Sequence, residues 1–351
     1  MGKRSTKVVT VIVGLDLGDR FSGACSLDSD SGEIVREWRV PTTRQGLARD
    51  FEGQPAMRIA LEVGTHSPWV SQLLASWGHE VVAANPRKVR LIAHSRRKSD
   101  RFDSRTLARL ARLDAELLSP VRHRSAACRQ DLAVLRARAA LVRARTLLVN
   151  HARGAVKSAG ERLPSCSAAS LSRAHLPAAC SATVGPLLDM VVELTERIRT
   201  YDRQLEVLAQ QRPEAAALRQ IPGVGPLTSL AFVLTLEDPT RFASSRDVGA
   251  YLGLTPGRRQ SGASDPQLHI TKEGDPFLRQ LLVQSAHYIL GPFGPDCALR
   301  RFGERLAERG GKAAKKRAAI AVARKLAVVL HRLWLTQECY EPLRAAQGLA
   351  A

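Results

Sequence analysis

The chain has 351 residues, 44% of them hydrophobic and 25% charged; that balance excludes wholesale disorder and leaves room for two domains with a helical insertion. Lys and Arg number 53 against 33 Asp and Glu, a formal charge of +20, so the expected partners are polyanions, nucleic acid foremost. No unbroken apolar run reaches the roughly 20 residues that span a bilayer, and no basic amphipathic anchor stands in its place, so no membrane partner is expected.

Residues 8–16 form a run rich in β-branched side chains that ends in an acid. That is the pattern of a central strand buried on both faces, and it is too short for a secretion signal. Residues 18–27 and 33–40 read as two further strands, parted by the turn Asp28-Ser29-Asp30-Ser31-Gly32. Residues 58–63 read as a buried strand, 67–77 as a helix and 80–84 as a strand closed by Asn85-Pro86. A three-strand meander followed by strands alternating with helices is the order of an RNase H-like mixed sheet.

Residues 86–118 turn helical and basic: positions 87–112 hold ten Lys or Arg against Asp100 and Asp103. A long helix over 131–156 and a second carrying Leu187, Val191, Leu194, Ile198, Tyr201, Leu205 and Leu208 flank a Ser/Ala/Pro/Cys-rich break at 158–183. The second is an uninterrupted heptad seam, so the pair reads as a coiled-coil hairpin packed on itself or on another subunit; an ordinary helical pair in one core is the alternative. Ile221-Pro222-Gly223-Val224-Gly225-Pro226 has the form of a helix-hairpin-helix turn, whose backbone N–H groups can meet a DNA phosphate, or of a plain helix-linking turn. Helices follow at 227–236, 245–252, 274–290 and 313–335, and between Arg300 and Arg332 eleven cations face only Glu304 and Glu308. Six scattered cysteines without a C-x-x-C pair read as reduced thiols of a cytoplasmic protein.

Four carboxylates stand out. Asp16 ends the first strand, Glu62 lies near the end of the fourth, and Asp100 and Asp103 share one helix face among ten cations. Clustered acids of this kind repel unless cations sit between them, and Mg²⁺ held there can clamp a scissile phosphate. Each acid alone also has an ordinary structural reading, as a turn, a strand end or a salt-bridged helix start. A second constellation is Gly257-Arg258-Arg259-Gln260-Ser261-Gly262 with Lys272 downstream. A serine set among cations suits nucleophilic attack on a phosphodiester, and the absence of an adjacent histidine removes the acyl-transfer triad. A basic loop with an exposed serine is the alternative.

The stretches VGLDLGDRFSGACSLD, RIALEVGTHS, VVAANPRKVRLIA, RRKSDRFDSRTLARLA, IPGVGPLTSLAFV, FASSRDVGAYLGLTPGRRQSG and ITKEGDPFLRQLLVQSA occur in this order along nearly the whole chain. Together they resemble the insertion-sequence 110/1111 family of transposases and the related pilin-gene invertases. The resemblance implies a RuvC-like domain over 1–125 with Asp16, Glu62, Asp100 and Asp103 as its DEDD set. It implies a coiled-coil segment over 126–212 and a mainly helical domain over 213–351 carrying the catalytic Ser261. It further implies a phosphoserine intermediate assisted by Mg²⁺ and a noncoding guide (bridge) RNA that pairs with donor and target DNA. Dimers would assemble to a tetramer whose active sites combine two subunits, with the 187–208 seam as a contact, in the bacterial cytoplasm at the nucleoid. The cations and glycines that would meet nucleic acid are Arg96, Arg97, Lys98, Gly223, Gly225, Arg258, Arg259, Lys272, Lys315, Lys316 and Arg317. Where many relatives have an acid, or glycine then lysine, after the Ser-Gly pair, this chain has Ala263-Ser264-Asp265, which leaves Ser264 as a competing nucleophile. The rival readings are a two-metal nuclease or junction resolvase without a covalent step, a site-specific invertase, and a non-catalytic nucleic-acid binder.

Overall fold

β1 (Val11–Asp16) is apolar on both faces, and the sheet it joins is buried on both sides. Val13 and Leu15 pack with Ile59 and Leu61 beneath one face; Ile12 and Ala60 pack with Leu107 and Ala111 on the other. The computed structural model describes residues 10–86, 100–262, 264–266, 268–308 and 310–343. The chain divides into two compact units, Met1–Arg124 and Ser125–Ala351.

In the first unit β2 (Phe21–Asp28) and β3 (Ile34–Pro41) run antiparallel from β1, while β4 (Arg58–Glu62) and β5 (Glu80–Ala84) run parallel to it, in the order β3-β2-β1-β4-β5. This mixed five-stranded sheet is consistent with an RNase H-like domain. α1 (Arg44–Phe51) follows β3, a helix the sequence reading did not include. It is only eight residues long and buries Gly46, Leu47 and Phe51; its one local signal is Thr43, whose hydroxyl caps it by accepting the Gly46 N–H at 3.0 Å. α2 (Ser67–Ser76) lies between β4 and β5, and α3 (Asp100–Leu113) packs on the opposite face of the sheet.

The second unit opens with α4 (Ala126–Ser158) and α5 (Ala178–Gln210), two 33-residue helices. α5 starts inside the stretch read as a break, because Pro177 supplies an N-cap backbone and the helix tolerates Pro186 in its interior. The connection is not idle chain: Leu163, Cys166, Leu171 and Leu176 close over a small core of Val149, Val156, Val184 and Leu188 at one end of the pair. At the other end Leu132, Leu135, Leu205 and Ala209 join the main core of the unit. Between them Arg138 bonds Asp202 at 2.7 Å and Arg145 bonds the Thr195 hydroxyl at 3.1 Å. Val191, Leu194, Ile198 and Leu205 of the heptad seam are therefore buried within the chain, so the seam itself is not available to another subunit. By length and composition α5 alone among the described helices could cross a bilayer; its apolar stripe is the one packed here.

α6 (Pro213–Leu218), α7 (Pro226–Leu236), α8 (Asp247–Tyr251), α9 (Pro276–Leu290), α10 (Ala298–Ala307) and α11 (Gly311–Thr336) complete the unit. α7 is buried almost all round, and α9 and α11 pack about it. The six cysteines are unbonded. His331 is fully buried on α11, with Nε2 2.9 Å from the Pro239 carbonyl and Nδ1 2.9 Å from the Ser245 hydroxyl. A carbonyl only accepts, so Nε2 carries the proton and Nδ1 accepts from Ser245: a neutral imidazole. Burial pushes its pKa below the ordinary value, against the opposing pull of the Pro239 carbonyl and Asp247. The unfolded chain therefore takes up a proton that the folded one refuses. This part of the stability is complete above about pH 6.5 and is lost as pH falls through the folded value. Denaturant titrations between about pH 7.5 and 5 should show that loss, and His331→Gln should flatten it while lowering stability at neutral pH.

Candidate active site

The registry of β1 and β4 sets the first half of the site. Gly14 pairs with Ala60 and Leu15 with Leu61 in parallel, so Asp16 and Glu62 occupy the next rung, at the same end of neighbouring strands. Side chains alternate along a strand; Asp16 therefore shares the face of Ile12 and Gly14, and Glu62 that of Ala60. This is the face that α3 covers.

α3 crosses it in the opposite direction. Arg58 donates to the Ala111 carbonyl at 3.3 Å near the strands' beginnings, whereas the Ser104 carbonyl lies over Gly14, where a Cβ would come within 1.9 Å of it. The start of α3 thus lies at the strand ends that carry Asp16 and Glu62. Asp103 sits there, 4% exposed, and Asp100 opens the helix one turn earlier; the Asp100 side chain lies outside the described residues. Acids in a first turn also meet the positive end of the helix dipole. The sheet edge and the helix start bring Asp16, Glu62 and Asp103 to one region. Among the described residues no three His, Cys, Asp or Glu side chains are drawn close enough to hold a metal ion by themselves. The donor set fits one nonetheless: oxygen ligands only, on one face, as a hard divalent cation requires.

Not every cation of α3 faces that edge. Arg105 is held by Glu37 of β3, with Nη2 to Oε2 at 2.7 Å, and Glu37 raises its pKa. Arg112 donates to the carbonyls of Ser29 and Asp30 at 3.0 and 2.6 Å. The basic run is thus partly internal structure. Arg96, Arg97 and Lys98 lie outside the described residues. The sequence reading missed Asp19 and His66, which sit 3.7 Å apart on the loops leaving β1 and β4, beside Asp16 and Glu62. Their signal was position: each lies three or four residues beyond a candidate acid.

Ser261 lies in the second unit, at the tip of a two-stranded ribbon. Its backbone and that of Ser264 exchange hydrogen bonds at 3.0 Å each way, and Pro256 bridges Ile270. Gly262, next to Ser261, takes a positive φ of 54°, the region that glycine suits and tight turns use. A hydrogen-bonded antiparallel pair puts both side chains on one face, so Ser261 and Ser264 stand side by side, both exposed. Arg259 lies two residues before Ser261 and is exposed. Arg258 lies 3.5 Å from Asp265. The ribbon's root is fixed: Arg279 donates to the Leu252 and Glu273 carbonyls at 2.9 and 2.8 Å, and Lys272, at a positive φ of 56°, donates to Gly253. Asp275, next in the motif, is structural. It caps α9 through the N–H groups of Phe277 and Leu278 and pairs with Arg136 at 2.8 Å.

Gly223 and Gly225 lie in the turn between α6 and α7. Gly223 has a φ of 80° and accepts the Ser285 hydroxyl at 2.7 Å, and Gly225 precedes α7 as its N-cap. Lys315, Lys316 and Arg317 are exposed on the first turns of α11.

Comparison with known families matches residues 13–160 to a DEDD transposase profile of the IS110 type and residues 215–296 to the profile described as "Transposase IS116/IS110/IS902 family". The chain is 30% identical to a putative transposase of Sinorhizobium fredii, over 99% of this chain and 89% of that protein. It is 26% identical to a probable family 20 transposase of Pseudomonas aeruginosa, covering 94% and 98% of the two chains. The transposase for insertion sequence element IS1111A of Coxiella burnetii is also 26% identical, over 96% and 93%.

Proposed function

The chain belongs to the IS110 family of insertion-sequence transposases, and on that premise we propose that it cuts and rejoins DNA through a covalent bond to Ser261, under the guidance of a noncoding RNA. The observation that carries the reading is the ribbon. It presents the Ser261 hydroxyl beside that of Ser264 at an exposed, hydrogen-bonded tip, two residues from Arg259, above a root that Arg279 anchors. In the step, the Ser261 Oγ forms a bond to phosphorus as the bond from phosphorus to a deoxyribose oxygen breaks. The hydroxyl proton leaves to solvent and the departing oxygen gains one. Attack by the hydroxyl of an exchanged strand reverses this and frees the serine, so no net oxidation or hydrolysis occurs.

Arg259 would hold the phosphate and offset the charge that builds on it. A divalent cation, Mg²⁺ in this reading, would be held by Asp16, Glu62, Asp100 and Asp103 and would supply Lewis-acid stabilisation of the phosphoryl oxygens. In the RuvC-like unit the chain's own contribution is to set Asp16 and Glu62 on one face of the sheet, at the end covered by the start of the helix that carries Asp100 and Asp103. Residues 1–125 thus provide the carboxylates, 126–212 the assembly segment and 213–351 the serine, with active sites shared between subunits of a tetramer. Leu147, Met190, Val192 and Val207, exposed on the helical pair, are the surface left for that assembly, in place of the closed seam. The 221–225 turn is read as a helix-hairpin-helix phosphate contact, and Arg258, Lys272, Lys315, Lys316 and Arg317 as backbone contacts to donor DNA, target DNA or guide RNA. The large positive charge supports such partners and a place at the bacterial nucleoid.

The test compares two serines three residues apart. With the element's own ends, its RNA, a target plasmid and Mg²⁺ supplied, Ser261→Ala should abolish strand transfer and Ser264→Ala should retain it. The reverse order would move the nucleophile to Ser264. Full DNA cleavage in both variants would leave the carboxylates acting as a two-metal nuclease.

A further inference from the structure

A groove of about 1040 Å³ runs between the root of the serine ribbon and the outer face of α11. It is at the upper limit of ordinary small-ligand pockets. Its walls carry Arg246, Lys272, Lys316, Arg317, Arg324 and Lys325, and no carboxylate among the described residues. Lys272, Lys316, Arg317 and Arg324 make no ion pair within the described structure. The ammonium of Lys325 sits 4.4 Å from the centre of the Phe302 ring, and burial together with Arg305 pushes its pKa down. Burial is the larger cause of that shift, and the like charge of Arg305 adds to it.

The floor is different in kind. Leu254, Pro256, Ile270, Ile320 and Val328 make it apolar, and the exposed imidazole of His269 stands at the ribbon side. On α11 the cations and apolar residues recur three or four apart, so one face of a single helix offers both. The opposite face is the packed core of Val322, Ala323, Leu326 and Leu330. Duplex DNA would satisfy the cations but leave the floor uncovered, because its bases are stacked inside and its phosphates face out. An unpaired strand presents both chemistries, phosphates for the rim and bases for an apolar bed.

We propose that this groove holds unpaired DNA flanking the phosphate attacked by Ser261, with phosphates along the α11 cations and bases against the apolar floor. Its location favours this occupant. Five residues separate the Pro256–Ile270 bridge from Ser261, at most about 17 Å of extended chain. The groove therefore begins within about five nucleotides of the reacting phosphate. Strand exchange requires a segment beside the cut to leave its old partner before joining a new one. A groove that holds such a segment lowers the chance of simple resealing. The proposal rests on Ser261 as the reacting residue.

The test uses the full chain in a Ser261→Ala background, where binding is read without chemistry. Its probes are a fluorescent duplex with a six-nucleotide single-stranded DNA overhang, the blunt duplex, the same overhang made abasic, and an RNA overhang. The overhang should improve affinity about tenfold, and abasic positions should remove the gain. Ile320→Gln and Arg324→Gln should each bring the overhang-to-blunt ratio towards one, with Arg324→Lys restoring it. Each lost phosphate contact should lower the slope of log affinity against log salt by about 0.7. Photocrosslinks from iodouracil in the overhang should map to 254–272 and 316–328. Equal affinity for blunt and overhanging DNA, or an abasic overhang that binds as well, overturns the proposal; so does tighter binding of the RNA overhang, which would give the groove to the guide. Because no covalent step is read, these outcomes are independent of whether Ser261 is the nucleophile.

Discussion

Asp16→Asn combined with Glu62→Gln should suppress DNA cleavage by about a thousandfold, the scale at which preorganised charge acts on a transition state, while the first unit stays folded. The amides keep the shapes of the acids, and both side chains lie at a half-buried sheet edge rather than in the core. What is removed is charge. On addition of Mg²⁺ the parent should gain thermal stability by mass action and the variant should not. Calorimetry with and without Mg²⁺ therefore reads the site separately from catalysis. Equal stabilisation of both proteins would place the metal elsewhere.

The second large effect is expected at Gly14. A Cβ there would lie 1.9 Å from the Ser104 carbonyl and 2.6 Å from the Ala108 nitrogen, backbone atoms of a helix packed flat against the sheet. Neither can swing aside, so Gly14→Ala has to push α3 outward. Overpacking of this kind destabilises by about 3 kcal/mol, roughly a 10 °C fall in the unit's melting temperature. Gly64→Ala, where a Cβ meets nothing within 4 Å, should change stability by less than about 1 kcal/mol. The activity of Gly14→Ala should fall by more than its loss of folded protein explains, because the displaced helix carries Asp103 away from Asp16 and Glu62. A variant that is destabilised yet fully active per folded molecule would separate helix position from the site.

The sheet was legible because its strands declare themselves. Val11–Asp16 and Arg58–Glu62 are short apolar runs between turns, and the alternation within them already places Asp16 and Glu62 on a shared face once the two strands are neighbours. That they are neighbours depends on the crossover through α1, whose eight residues, with two arginines and an aspartate, make too short a helix to declare itself. The heptad of α5 was equally plain, but a seam names no partner: α4 of the same chain fills it. Charge was the least legible feature. Arg105, Arg112 and Asp275 belong to runs that suggest function, and all three are held by partners brought together only by the fold. The groove beside the ribbon was invisible for the same reason, since its walls come from segments far apart in the chain.

If Ser261 bonds to DNA, the adduct itself can be captured. The protein is incubated with its element ends, guide RNA, target plasmid and Mg²⁺, quenched in denaturant, digested, and the DNA-linked peptide sequenced by mass spectrometry. A nucleotide on Ser261 is expected, absent from Ser261→Ala and diminished in Asp16→Asn. Cut or transferred DNA with no linked peptide, at the same level in Ser261→Ala, would contradict it.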